Sequence, residues 1–350
     1  NKKTNMPWTK LQADKFSKKD LDSGQIGKRT LTFRNAVLEA FRQSMEADPN
    51  IILLGEGIDD PGGVFGSTLD LHKEFGKRRV MDTALAENGI TGIGVGAALT
   101  GLRPVIIHMR IDFLLLAMDQ IVNHAAKWHY MLGGKVRVPI TIRAIMGKGW
   151  GSGAQHSQSF YSIFTHFPGL KVILPASPYD AKGLLIASIK DNNPVIIIEH
   201  RWSYDQRGIV PEEPYSIPLG KADLAKTGKD VTVIVSSLLV AESMQAAQEL
   251  ESDNIDTEVI NLRTIKPIDK ETIFNSVKKT GKAVIVDMGN PVCGIASEIS
   301  ALLVQNVFEY LKAPVKVITL PDTPVPSCHV LEQAYFPNKE KIKDIVKSVM

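Results

Sequence analysis

The sequence is poor in cysteine, in net charge and in long apolar runs, and each shortage removes a class of protein. Only Cys293 and Cys328 occur in 350 residues. They cannot make a disulfide framework, and no Cys/His cluster has zinc spacing. Such usage fits a reducing compartment. Lys plus Arg number 41 and Asp plus Glu 38, a net charge of +3. Residues 1–30 hold eight basic and three acidic side chains, which leaves the rest of the chain at −2. Without a global basic field, nucleic acid is a poor partner, and the basic arm reads as a solvated or partner-contacting tail. The apolar run most worth testing, Phe113-Leu-Leu-Leu-Ala-Met118, is far short of the ~20 residues of a membrane span. The N-terminus has neither an apolar signal core nor the Arg-rich character of a transit peptide. The expectation is a soluble cytoplasmic protein, with the mature form of a mitochondrial-matrix or plastid protein as the alternative. No G-x-x-x-x-G-K-[ST] phosphate loop and no H-E-x-x-H occur, so NTP hydrolysis and zincin chemistry drop out.

What is present is an α/β rhythm. Apolar residues make up 44% and charged residues 23%, ordinary for a globular chain whose length suggests two domains. Short Val/Ile-rich runs recur at Ile51–Gly55, Pro104–Met109, Pro139–Ile145, Lys171–Pro175 and Pro194–His200. A second series follows at Val231–Ser236, Thr257–Leu262, Ala283–Met288 and Val315–Leu320. Near-continuous runs of this kind mark strands covered on both faces. Amphipathic spacing in Ala296–Leu311 marks one of the helices between them. Strand, helix, strand in this order predicts doubly wound parallel sheets. The polar stretch from Arg201 to Lys229, broken by Gly208, Pro211, Pro214, Pro218 and Gly220, is the natural linker. The expected division is an arm over 1–27, a first domain over 28–205, a linker over 206–224 and a second domain over 225–350.

Several segments carry candidate chemistry. Gly92-Ile-Gly-Val-Gly-Ala97 fits the G-x-G-x-x-G/A dinucleotide pattern, with Asp112 twenty residues beyond Gly92. A Rossmann turn follows directly on a hydrophobic strand, and the residues before this one are not strand-like. A helix packed through its glycines is the better reading. Glu87 opens that segment. A carboxylate there is commonly a partner for the helix dipole, yet a lone Glu among Ala, Leu and Ile is also how a carboxyl pKa is raised for proton exchange. His156 lies beyond Gly147-Lys-Gly-Trp-Gly-Ser-Gly153, and four glycines in seven residues suit a loop whose backbone approaches a ligand at a strand's carboxyl end. His166 reads equally as a core histidine or a site residue. Asp191-Asn-Asn-Pro194 is a turn by composition, and its oxygens could also seat a hard cation.

Together these pieces resemble one family, the beta subunits of thiamine-diphosphate-dependent 2-oxoacid dehydrogenases, which act on pyruvate, branched-chain 2-oxoacids or acetoin. The resemblance covers about residues 29–347. It rests on Leu54-Gly-Glu-Gly57, Phe75-Gly-Lys-Arg-Arg-Val80, Asp82-Thr-Ala-Leu-Ala-Glu87, Gly101-Leu-Arg-Pro104, Asp119-Gln-Ile121 and Ala125-Ala-Lys127. It continues through Gln155-His-Ser-Gln158, Pro168-Gly-Leu-Lys-Val172, Asp180-Ala-Lys-Gly-Leu184 and Val259-Ile-Asn-Leu-Arg-Thr264.

The resemblance implies a pyrimidine-binding domain followed by a transketolase C-terminal-like domain. It implies that Glu87 hydrogen-bonds N1′ of the aminopyrimidine, favouring the tautomer that removes the thiazolium C2 proton. Glu56 matches an acid near the cofactor, Met109 and Phe113 match positions packed on the pyrimidine, and His156 matches a histidine facing the substrate channel. Ser188, Asp191 and Asn193 match a structural potassium site. The family's diphosphate is held through Mg2+ by a Gly-Asp-Gly…Asn motif, and no Gly-Asp-Gly occurs here. The implied enzyme is therefore an α2β2 assembly whose alpha subunit carries the metal site. It would decarboxylate a 2-oxoacid and pass the acyl group to a lipoyl acyltransferase. The alternative is a two-chain transketolase-like enzyme with a non-lipoyl acceptor. The strand Ile107-His-Met-Arg-Ile-Asp112 departs from the family pattern, placing His108 and Arg110 beside the expected pyrimidine end. Arg110 would pair either with a substrate carboxylate or with Asp112 or a neighbouring chain.

Overall fold

The computed structural model describes residues 29–147 and 151–350. The arm expected over 1–27, and Lys148-Gly-Trp150 of the glycine-rich segment, lie outside them.

Fourteen strands form three sheets among the described residues. In chain order they are β1 (Thr30–Thr32), β2 (Ile51–Gly55), β3 (Val80–Asp82), β4 (Arg103–His108), β5 (Thr141–Met146), β6 (Lys171–Ile173) and β7 (Val195–His200). Then come β8 (Arg207–Ile209), β9 (Asp223–Lys226), β10 (Val231–Val235), β11 (Thr257–Asn261), β12 (Thr264–Lys266), β13 (Ala283–Val286) and β14 (Lys316–Ile318). The seven-stranded sheet runs β12-β6-β7-β5-β4-β2-β3, and the five-stranded sheet runs β14-β13-β10-β11-β9. Within these two sheets pairing is parallel except for β12 on β6 and β9 on β11, one antiparallel edge strand in each, and the third sheet is the antiparallel pair β1–β8. The doubly wound α/β class expected from the Val/Ile runs is therefore present twice.

Burial explains why those runs are unbroken. Every residue of β2, β5, β7, β10 and β11 is buried, because helices cover both faces. The helices Phe33–Ala47 and Pro178–Lys190 pack on one another over one face of the first sheet. The helix Glu87–Leu99 covers the other, packing against β4. The dinucleotide-like glycines Gly92–Ala97 lie within this helix rather than at a strand–helix turn.

The two halves are fastened by more than the linker. The strand β12, from the second half of the sequence, completes the edge of the first sheet through Thr264 opposite Ile173. Arg263 pairs with Asp180 at 2.7 Å, and Lys266 donates to the carbonyl of Phe167 at 2.8 Å. The buried Tyr161 hydroxyl donates to Asp287 and accepts from the backbone N–H of Met288 at 3.1 Å.

Candidate active site

Parallel strands end together, so the residues that follow them gather along one edge of the sheet. At that edge β2 stops at Gly55, and the chain turns through Glu56 and Gly57. Both glycines are required by contact. A Cβ on Gly55 would stand 2.5 Å from the carbonyl oxygen of Ile107, and one on Gly57 would stand 2.6 Å from Cε of Met109. Gly57 also has φ +66°, a left-handed conformation that favours glycine. The Met109 methyl therefore lies directly over the turn that presents Glu56.

Glu87 lies close enough to Glu56 for its charge to act on it. Glu87 is the first residue of its helix, which has no side-chain cap, so its carboxylate lies near free backbone N–H groups and the positive end of the helix dipole. Burial raises the Glu56 pKa above the ordinary carboxylic range, and the charges of Glu87 and Asp82 add to the rise, while the Ala86 N–H opposes it. Glu56 Oε1 is buried with no hydrogen-bond partner among the described residues. A carboxyl group whose pKa is raised beside a second carboxyl is an arrangement suited to moving a proton.

The helix carrying Glu87 is held close to the sheet. A Cβ on Gly94 would lie 2.5 Å from Cδ1 of Ile106. One turn beyond Glu87, Thr91 Oγ1 is 3.2 Å from Nε2 of the buried His108. Burial lowers the His108 pKa to about 4, so this imidazole is neutral at physiological pH. After β4, Phe113 meets the ring of His156 edge-on at 5.1 Å between centroids. The structure thus brings Glu56, Glu87, Met109, Phe113 and His156 to one end of the sheet.

Ser188, Asp191 and Asn193 are elsewhere. They precede β7, at the opposite edge of the sheet from Glu56 and Glu87. The Ser188 hydroxyl donates to the carbonyl of Leu184 at 2.6 Å. Asp191 forms an ion pair with Lys171 and accepts from Asn193 N at 2.9 Å. Arg103 Nη1 donates to the carbonyls of Ile189 and Asp191, each at 3.0 Å. His166 is exposed, not a core histidine; it borders a groove of about 920 Å³ between the two halves. Among the described residues, no group of three His, Cys, Asp or Glu is placed to hold a metal ion. No described helix is long and apolar enough to cross a membrane.

Sequence reasoning missed the buried set behind the site. Arg143 on β5 is fully buried, pairs with Glu199 at 2.7 Å and donates to Tyr204 at 2.6 Å and Ser67 at 2.8 Å. The signal was available, because an arginine inside a run covered on both faces needs a buried counter-charge.

Around Glu87 the surface is apolar. Leu85 is 82% exposed, and Ile93 and Leu116 are each 61% exposed. Ile93 lies on the Glu87 helix, and Leu116 lies on the turn Leu115–Ala117 packed against it. Exposed leucine and isoleucine clustered beside a polar site mark a surface that another chain covers.

Fold and site together define a transketolase-like protein. Residues 29–206 match the transketolase pyrimidine-binding domain and residues 220–342 the transketolase C-terminal domain. The chain belongs to this family, within its branch of 2-oxoacid dehydrogenase beta subunits. It is 44% identical to the beta subunit of acetoin:2,6-dichlorophenolindophenol oxidoreductase from Bacillus subtilis, over 92% of this chain and 98% of that one. It is 42% identical to the pyruvate dehydrogenase E1 component subunit beta of Rhizobium meliloti, over 91% of this chain and 70% of that one. Against the 2-oxoisovalerate dehydrogenase subunit beta of Bacillus subtilis the identity is 39%, over 91% and 98%. A solved split-gene transketolase, an inactive beta4 tetramer, superposes with TM-score 0.74 over 91% of this chain and 98% of that one, at 21% identity. That last likeness shows the fold alone.

Proposed function

We propose that this chain is the beta subunit of a two-chain, thiamine-diphosphate-dependent 2-oxoacid dehydrogenase and supplies the pyrimidine half of its active site. The observation that carries the reading is the Glu56–Glu87 pair at the carboxyl edge of the first sheet, with Leu85, Ile93 and Leu116 exposed on or beside the Glu87 helix. The donor set fits the cofactor: a carboxyl to meet a ring nitrogen, an unpartnered buried oxygen on Glu56, and Met109 and Phe113 to pack on an aromatic ring. Bound there, thiamine diphosphate would supply the electron sink for breaking the bond to the substrate's carbonyl carbon.

This chain's own contribution is proton placement. Glu87 would hold its proton toward N1′ of the pyrimidine, with Glu56 in reserve behind it. His156 would give or take a proton at the acyl oxygen during transfer to a lipoyl group of an acyltransferase. An alpha subunit would provide the Mg2+ and diphosphate site in an α2β2 assembly. Two free, exposed cysteines support a reducing compartment, the cytoplasm or its organellar equivalent. Relatives named for acetoin and for pyruvate have similar identity, so both substrates belong in the assay.

The proposal includes a potassium ion at the turn of Ser188, Asp191 and Asn193, the site the resemblance implies, although Ser188 and Asp191 also have protein partners there. Replacing K+ by tetramethylammonium should lower the melting temperature, and an unchanged melt removes the ion from the account.

The test of the whole reading is reconstitution with an alpha chain bearing Gly-Asp-Gly…Asn. Turnover of pyruvate, 2-oxoisovalerate or acetoin should require both chains. Glu87→Gln should cost about 10²–10⁴-fold, the usual contribution of a positioned acid–base group.

A further inference from the structure

Two ties cross the neck of the His156 loop, and both come from the short segment after β4. Where the loop leaves β5, Arg110 Nη1 donates to the carbonyl of Gly147 at 3.3 Å. Where it returns, Asp112 accepts from the backbone N–H of Gln158 at 3.2 Å and from its side-chain Nε2 at 2.9 Å. The two ends also meet directly, the N–H of Gly147 donating to the carbonyl of Gln158 at 3.4 Å. The neck has little freedom elsewhere: a Cβ on Gly147 would fall 2.2 Å from Nε2 of His200. The next residue after Asp112 is Phe113, the ring against which His156 rests.

Asp112 is only 7% exposed. Both Gln158 bonds fall on Oδ1, while Oδ2 is buried with no hydrogen-bond partner among the described residues. Burying a carboxylate this far is costly, and the nearby Arg110 charge offsets part of that cost. A segment that needed only to cap a helix would not pair an aspartate and an arginine on opposite ends of one loop.

We infer that Arg110 and Asp112 are positioning residues: a clasp that closes the neck of the His156 loop and sets His156 against Phe113 at the carboxyl end of the first sheet. Arg110 is thereby engaged with this chain's own loop rather than with substrate. The inference rests on the role proposed above for His156. Because a single oxygen accepts both bonds, the clasp needs an acceptor at position 112 and not a charge.

The test uses the complete two-chain assembly with Asp112→Ala, Asp112→Asn, His156→Ala and the Asp112→Ala/His156→Ala double variant. Displacing a catalytic group by about 1 Å can cost about 10²-fold, so Asp112→Ala should lower kcat for acyl transfer by that order with the KM for the oxoacid little changed. Asp112→Asn should restore turnover to within a few-fold of wild type. In the His156→Ala background, Asp112→Ala should add nothing, the non-additivity of residues that act as a unit. Equal damage from Asp112→Asn and Asp112→Ala, or additive losses in the double variant, would overturn the clasp. Should Asp112→Ala fail to assemble, Gln158→Ala removes one of the two bonds from the loop side and should show the same non-additivity. A second readout needs no activity: histidine-selective carbon-13 spectra should show the His156 ring signal moved by Asp112→Ala and kept by Asp112→Asn. An inactive wild-type assembly with that spectral pattern rejects the proposed function and leaves the clasp standing. An active assembly without the spectral change or the coupling rejects the clasp alone.

Discussion

At the scale of single residues, burial shifts the pKa of two groups in this region in opposite directions. Glu56 is raised by desolvation before any neighbour acts, and Glu87 adds to the rise. His108 goes the other way, to about 4, against about 6.5 in an unfolded chain. Between those values the unfolded chain takes up a proton that the folded chain refuses, so stability falls as pH drops from about 6.5 to about 4. Full expression of that difference is about 3 kcal/mol. His108→Gln should lose this component. The fall in melting temperature from pH 7 to pH 5 should shrink in the variant, and parallel pH profiles for the two proteins would show that His108 is not buried neutral. The place of Glu87 at the head of a helix was legible because that signal is local. The Asp112–Gln158 and Arg143–Glu199 pairs span 46 and 56 residues, and no periodicity links positions that far apart. His166 was ambiguous for the same reason: exposure at a groove between the halves is a tertiary fact.

At the scale of elements, the glycine-rich helix decides how closely Glu87 approaches the sheet. Its glycines are not equivalent. Gly94 faces Ile106 and Ile140, with a virtual Cβ 2.5 Å from one and 3.2 Å from the other, whereas a Cβ on Gly96 meets nothing within 4 Å. Alanine is intrinsically better than glycine in a helix by about 1 kcal/mol. Gly96→Ala should therefore hold or raise the denaturation midpoint of the chain. Gly94→Ala should lower it, because overpacking costs about 1–3 kcal/mol. A gain from both would mean that the helix is not wedged against β4. Elements were legible where burial writes a long signature, as in β2, β7 and β10. The strands β1, β3, β8 and β12 have three residues each, as do β6 and β14, but they lack the longer apolar runs, Lys171–Pro175 and Val315–Leu320, that made those two readable. Pairing supplied by a distant strand makes them strands, as when Ile173 holds Thr264. The helix expected over Ala296–Leu311 runs from Ile295 to Val307 and ends in a tighter turn over Phe308–Tyr310, since apolar spacing continues past the last regular turn.

At the scale of the molecule, two α/β units share one continuous apolar core, with β12 and the Tyr161–Asp287 contact locking them together. The carboxyl edge of the first sheet carries the acid pair, with Leu85 and Leu116 exposed on or beside the Glu87 helix. A composition-based division at a linker could not foresee a strand passed from one half of the sequence to the sheet of the other. The central claim is that this chain holds half an active site. The measurement that tests it most directly is turnover with thiamine diphosphate and Mg2+ for three samples: this chain alone, this chain with its alpha partner, and Glu87→Gln with the same partner. The account predicts no turnover from the first, full turnover from the second and a loss of about 10²–10⁴-fold in the third. Turnover by the chain alone, or an assembly indifferent to Glu87→Gln, would contradict it.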